Sequence, residues 1–178
     1  MTNFYGEIVL NEKQTITKKL WIKYAAFGLV AVILAVIDQV SKFWFVGKVG
    51  GEVFRSIEII KGVLNFTYIQ NKGASMGILQ GQRVFLILLT FIILGVGAWY
   101  FKKYRPENNL FLTSCTLILS GAIGNLIDRA MYGYVRDFID VQFIDFYIFN
   151  VADCGIVIGA VLLVIYAFVS MDDNKEKH

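Results

Sequence analysis

The chain reads as a membrane all-α protein: four transmembrane helices, with a small β-sheet between the first two. Three observations predict this. Four apolar stretches, roughly 20–46, 83–101, 110–127 and 149–170, each approach or exceed the ~20 residues a helix needs to cross hydrocarbon. Segment 47–81 alternates apolar and polar side chains around a Lys61–Gly62 turn, the signature of a strand pair. The whole chain, 178 residues with 57% hydrophobic side chains and a mean hydropathy of +0.60, holds one domain's worth of sequence.

The elements follow in order. Residues 1–19 are polar and end in Thr17, Lys18 and Lys19, so they form an extension expected as a surface helix or as disorder. No short apolar core with a small-residue cleavage site follows, and 20–46 is expected to be retained as the first span. In 47–81, Leu64, Phe66 and Tyr68 alternate with Asn65, Thr67 and Gln70. An open sheet edge is excluded from hydrocarbon, so this β-cradle belongs on the outer membrane surface. It leads into Asn71-Lys72-Gly73-Ala74-Ser75-Met76-Gly77, a run that suits either close backbone approach or an ordinary loop.

Span 83–101 is followed by a polar link holding the only proline, Pro106. Span 110–127 ends in Gly121, Gly124, Asn125 and Asp128, which share a helix face; its small residues suit tight helix packing. The connector 130–148 mixes Arg136, Asp137, Asp140 and Asp145 with aromatics and reads as an interfacial loop or short helix. Span 149–170 opens Phe149-Asn150-Val151-Ala152-Asp153, where Asn150 and Asp153 suit a capping pair equally well as a site.

Charge and cysteine content bound the function. Nine Lys and Arg residues fall on the side that carries both termini and eight on the other, where several stand beside acids. Both termini are therefore expected inside, with 130–148 on the outer, periplasmic side. A net charge of +3 gives no support to nucleic-acid binding. Cys115 and Cys154 follow no disulfide or metal spacing and suit packing between helices. The sole histidine is His178, which leaves no Ser–His–Asp triad and no histidine-ligated zinc.

Chemistry rests on Asp38, Asp128, Asp137, Asp140 and Asp153, acids at the mouths of apolar helices. Carboxylates near hydrocarbon cost about 2.5–3.5 kcal/mol each and persist where a function needs them. Two brought within 4 Å repel by about 4 kcal/mol at an effective dielectric of 20, so one keeps a proton. An acid and a base then coexist, able to activate water against a peptide carbonyl. Spacing alone does not select which two of the five meet.

Five motifs carry a resemblance: Asp38-Gln39-Val40-Ser41-Lys42; Asn71-Lys72-Gly73-Ala74; Gly121 to Arg129; Asp137-Phe138-Ile139-Asp140; and Phe149 to Asp153. In this order they resemble the bacterial lipoprotein signal peptidases, the type II signal peptidase family of aspartic membrane proteases. The resemblance covers about 20–170. It implies a peptidase that removes the signal peptide of diacylglyceryl-prolipoproteins, cutting before the lipidated cysteine. It assigns the catalytic aspartates to Asp137 and Asp153, sixteen residues apart.

By the same resemblance Asn71, Gly73, Asn125, Arg129 and Asn150 position substrate and hold the pair. Asp38 and Lys42 are expected to be structural, tying the first span to the sheet, and Asp128 to partner Arg129. Ser120, Ser75, Met76 and Cys154 depart from the family's usual residues. No cofactor or metal is implied. The implied partners are the prolipoprotein and membrane lipids, and the chain is expected to act as a monomer in the inner (cytoplasmic) membrane. Two rival readings are a small transporter or proton channel, and a scaffold that grips signal helices without cutting them.

Overall fold

The computed structural model describes residues 2–74 and 78–175, with side chains for 17–74 and 78–171. Helix α1 spans Thr2–Lys48, strand β1 Ser56–Ile60, β2 Leu64–Asn71, α2 Arg83–Tyr104, α3 Asn109–Met131, β3 Val135–Val141 and α4 Val151–Lys175. Each of the four helices contains a stretch long and apolar enough to cross a membrane. Their outer faces are apolar: Phe43 is 75%, Phe91 58% and Phe168 66% exposed, as lipid-facing side chains are. The protein is a multi-pass membrane protein.

Helix α3 is the axis of the bundle, with α4 and α1 packed along it. Its contacts with α4 and α1 depend on glycine. A Cβ at Gly121 would run into the carbonyl oxygen of Ala152 and the Ile156 side chain, and one at Gly124 would lie 2.5 Å from Asp38 Oδ2. Small residues here bring the backbones close enough for polar side chains to bond across the helices. Helix α2 is peripheral, with Leu86 its one buried residue. The link to α3 is pinned to α1, where Tyr24 Oη donates to the Pro106 carbonyl at 2.9 Å and Lys23 Nζ to that of Glu107. Asn108 caps α3 by accepting from Phe111 N at 3.1 Å.

The sheet has the order β1-β2-β3, antiparallel throughout. The first hairpin closes at the expected Lys61–Gly62 turn. The third strand is a correction: 135–141, read from sequence as loop or short helix, is β3. Its partner β2 lies some seventy residues earlier, so the pairing leaves no local turn signal. A register shift between Phe66 and Ile69 bends β2, and Ile139 is bridged in turn to Phe149, just before α4.

The sheet is fixed to α1 by an apolar knot of Phe45, Val49, Tyr68 and Phe138. Phe45, Phe66 and Phe138 form an aromatic trio with ring centroids 5.3–5.6 Å apart. That corrects a second expectation, since Asp38 and Lys42 tie α1 to α3 and α4 rather than to the sheet. Residues 2–19, expected as a surface helix or as disorder, are helical and run into the first span as one continuous α1. Ser75, Met76 and Gly77 lie outside the described residues.

The glycine contacts give a paired test. Gly121→Ala is expected to cost about 1–3 kcal/mol by overpacking. Gly97→Ala, where an added Cβ meets nothing within 4 Å, should be neutral or slightly stabilising. Thermal unfolding of both variants in detergent reads the difference, and equal melting temperatures would contradict it.

Candidate active site

Among the described residues, two cavities in the bundle bear on function. The larger, about 690 Å³ between α1, α2 and α3, is lined almost wholly by apolar side chains such as Phe27, Ile93, Leu94 and Leu119. The smaller, about 310 Å³, lies where α3, β3 and the start of α4 meet, and it collects the chemistry. Asn71, Asn125, Arg129, Asp137 and Asp153 line it, with Phe146, Ile148, Val157 and Ile158 as an apolar wall.

Each polar side chain arrives there for a local reason. Asp137 sits in β3 opposite Ile69, and strand alternation turns it away from Arg136 and Phe138 on either side. Asn71, two residues past Ile69 and so on the same sheet face, donates from Nδ2 to Asp137 Oδ2 at 3.0 Å. Asn150 is the N-cap of α4: its Oδ1 accepts from Asp153 N at 3.0 Å, while its own backbone N donates to Asp153 Oδ2 at 3.2 Å. This reciprocal capping box holds Asp153 in the first helical turn, where the helix dipole favours a negative charge. Cap and site are therefore one arrangement.

The amides then join the two acids. Asn150 Nδ2 donates to Asp137 Oδ1 and lies 3.2 Å from Asn125 Oδ1. Asn125 Nδ2 donates to Asp153 Oδ1 at 2.8 Å. Among the described residues, no Lys or Arg forms an ion pair with either acid. Burial raises the Asp137 carboxyl to a pKa of about 7, with the charge of Asp153 as the second cause; the amides of Asn150 and Asn71 and the cation of Lys42 oppose the shift. A carboxyl so placed keeps a proton near neutrality, beside a second acid at the positive end of a helix.

Arg129 reaches the same cavity, donating to the Gly73 carbonyl at 2.9 Å and, at 3.4 Å, to that of Asn125. Gly73 N in turn donates to Asn71 Oδ1 at 2.9 Å, so the loop after β2 is tied to the site. Two of the five guanidinium N–H groups are thus engaged. Cys154 lines the cavity as a free thiol.

Beneath this site lies a second buried cluster. Lys42 Nζ is 2.8 Å from Asp38 Oδ2 and 3.5 Å from Asp128 Oδ2. Asp128 does not pair with Arg129, as the sequence suggested. It takes Arg136 instead, through Nη2 at 2.7 Å, Nε at 3.2 Å and the backbone N at 2.9 Å. The neighbouring position on α3 faces another way, which adjacency in sequence conceals. Gln39, noted from sequence only as part of its motif, bridges this pair, donating to Asp128 Oδ1 at 3.0 Å and accepting from Arg136 Nη2 at 2.8 Å. Strand alternation would have placed Arg136 opposite Asp137 had 135–141 been read as a strand. Asp140 stays on the sheet, accepting from Thr67 Oγ1.

Comparison with known proteins gives the arrangement a context. Residues 30–169 match the family model described as signal peptidase (SPase) II. The lipoprotein signal peptidase of Caulobacter vibrioides is 39% identical over 170 residues, covering 92% of this chain and 96% of that protein. The lipoprotein signal peptidase of Streptococcus pyogenes serotype M5 is 41% identical over 144 residues, covering 80% and 93%. Two solved bacterial membrane enzymes, each 36% identical, superpose with TM-scores of 0.78 and 0.73. They cover 86% and 80% of this chain and 94% and 92% of their own. Agreement over most of the chain, in sequence and in fold alike, makes this protein a peptidase and a member of the signal peptidase II family.

Proposed function

We propose that this enzyme removes signal peptides from diacylglyceryl-modified prolipoproteins, cutting before the lipidated cysteine with a water activated by Asp137 and Asp153. The observation that carries this reading is two carboxyl groups, from β3 and from the first turn of α4, bonded by shared amide donors and, among the described residues, by no ion pair. The family membership and the names of the relatives support the substrate.

In the proposed reaction Asp137 holds the shared proton and hydrogen-bonds the scissile carbonyl oxygen. Asp153 takes a proton from water as the water oxygen bonds to the carbonyl carbon. The tetrahedral intermediate then breaks its C–N bond, and the departing cysteine nitrogen receives the proton from Asp153. This division uses the environments: burial favours the neutral form of Asp137, and the helix N-terminus favours the charged form of Asp153. Asn71, Asn125 and Asn150 hold the acids. The unused N–H groups of Arg129, with the Gly73 loop beside it, offer contacts to the substrate backbone. Phe146, Ile148, Val157 and Ile158 offer apolar surface to the lipidated residue. We place the enzyme in the cytoplasmic (inner) membrane with both termini inside and the acids at the outer face, where a lipid-anchored precursor meets water. It acts as a single chain.

Two outcomes test the proposal. Asp137→Asn and Asp153→Asn should each lower turnover of a lipid-modified precursor by on the order of 10³-fold or more, with thermal unfolding showing a folded protein. Mass analysis of the products decides, and turnover within about tenfold of wild type would refute the assignment.

The second outcome is a pH dependence. The raised pKa of Asp137 means that its contribution to stability is complete below about pH 4, its unfolded value, and is lost as pH rises through about 7. Catalysis needs the same proton, so kcat/KM should fall across that upper range. The melting temperature of wild type should fall more from about pH 5 to pH 8 than that of Asp137→Asn. A flat profile in both measurements would contradict the sign.

A further inference from the structure

The amides around the two acids take their direction from a cation that bonds neither acid. Lys42, fully buried, points its ammonium at three oxygens: Asp38 Oδ2 at 2.8 Å, Asn125 Oδ1 at 3.1 Å and Asp128 Oδ2 at 3.5 Å. An ammonium can only donate, so the Asn125 amide must turn its oxygen toward Lys42. Its Nδ2 is then left facing Asp153 Oδ1 at 2.8 Å. Asn150 Nδ2 meets the same Asn125 oxygen at 3.2 Å and also Asp137 Oδ1, while Asn150 Oδ1 receives Asp153 N. Reversing Asn125 would set its carbonyl against the Asp153 carboxylate and its NH₂ against both the ammonium and the Asn150 NH₂. The cation forbids that.

We propose that Lys42 is a positioning residue for the acid pair: through Asn125 and Asn150 it sets which oxygens of Asp153 and Asp137 are bonded and which remain for water and substrate. This rests on the reading of those acids as the hydrolytic pair. A merely structural Lys42 would serve only to neutralise Asp38 and Asp128. The charged groups around the pair are Asp38 and Lys42 from α1, Asp128 and Arg129 from α3, and Arg136 from β3. Of these, Lys42 is a cation whose charge opposes the rise at Asp137, to which Arg129 is also coupled, so removal of Lys42 should let Asp137 keep its proton to higher pH.

The test uses the full chain in detergent and a lipid-modified precursor. kcat and KM are measured across pH for Lys42→Met, Asn125→Ala, the two combined, and Asp38→Asn with Lys42→Met. Lys42→Met should lower kcat about tenfold or more with KM little changed. Its descending pH limb should move up by about one unit. In the Asn125→Ala background the same change should cost little further, the mark of a residue acting through another. Asp38→Asn with Lys42→Met, which leaves no carboxylate of that pair uncompensated, should regain thermal stability without regaining kcat.

Wild-type kcat per folded enzyme with an unmoved pH profile would overturn the proposal, and so would losses that simply add. Failure of all three Lys42→Met variants to fold would also count against it, by assigning the residue to the scaffold. Asp137→Asn is run beside them. Turnover there sinks the hydrolytic reading itself, whereas its loss beside an unmoved Lys42→Met profile sinks this inference alone.

Discussion

The structure depends on keeping four paired charges inside a largely apolar bundle. Asp38, Lys42, Asp128 and Arg136 are each at most 5% exposed and balance as two acids against two bases. Removing charge from water costs several kcal/mol per ion, recovered only when geometry and hydrogen bonding are good. Here they are good. Asp38 Oδ1 also accepts from Ala152 N at 2.9 Å, and Asp128 accepts from a backbone and a guanidinium together. The cluster therefore welds α1, α3, β3 and the first turn of α4 into one unit. A buried charge tolerates few alternative packings, so what it contributes most plainly is a single arrangement of those four elements.

The acid cavity is built on that unit with different physics. Asp137 and Asp153 have amide and backbone donors instead of cations, which satisfy the oxygens, and burial keeps the proton affinity of Asp137 high. A salt bridge in the same place would hold a carboxylate ionised and suppress acid behaviour. The separation is spatial and short: Arg136 and Asp137 are neighbours in β3, yet strand alternation sends one to the ion cluster and the other to the cavity. Proximity of Lys42 to both regions, through Asn125, links them.

Capping shows how a requirement of local structure can serve chemistry. A helix that starts at Val151 leaves unsatisfied N–H groups, and Asn150 with Asp153 satisfies two of them. The same two residues reach Asn125 and Asp137 with their remaining atoms. Cap, bundle and strand thus share one set of hydrogen bonds, so a change at Asn150 disturbs all three.

Much of the architecture was legible in sequence because it has a local period. The four spans follow from runs of apolar residues, the first hairpin from alternation around Lys61–Gly62, and the Asn150–Asp153 cap from a three-residue spacing. The family resemblance rested on five motifs in order and pointed to the acids that the fold then gathers into one cavity with Asn71, Asn125 and Arg129. What tertiary structure alone decided has no such period. The third strand pairs with a segment some seventy residues away, Asp128 chooses Arg136 over its neighbour Arg129, and aromatic rings with the Gln39–Arg136 hydrogen bond, rather than the Asp38–Lys42 pair itself, hold the sheet to α1. These outcomes depend on which faces meet after the chain has folded back on itself. Spacing along a helix records which face a residue occupies; it carries no record of what that face will touch.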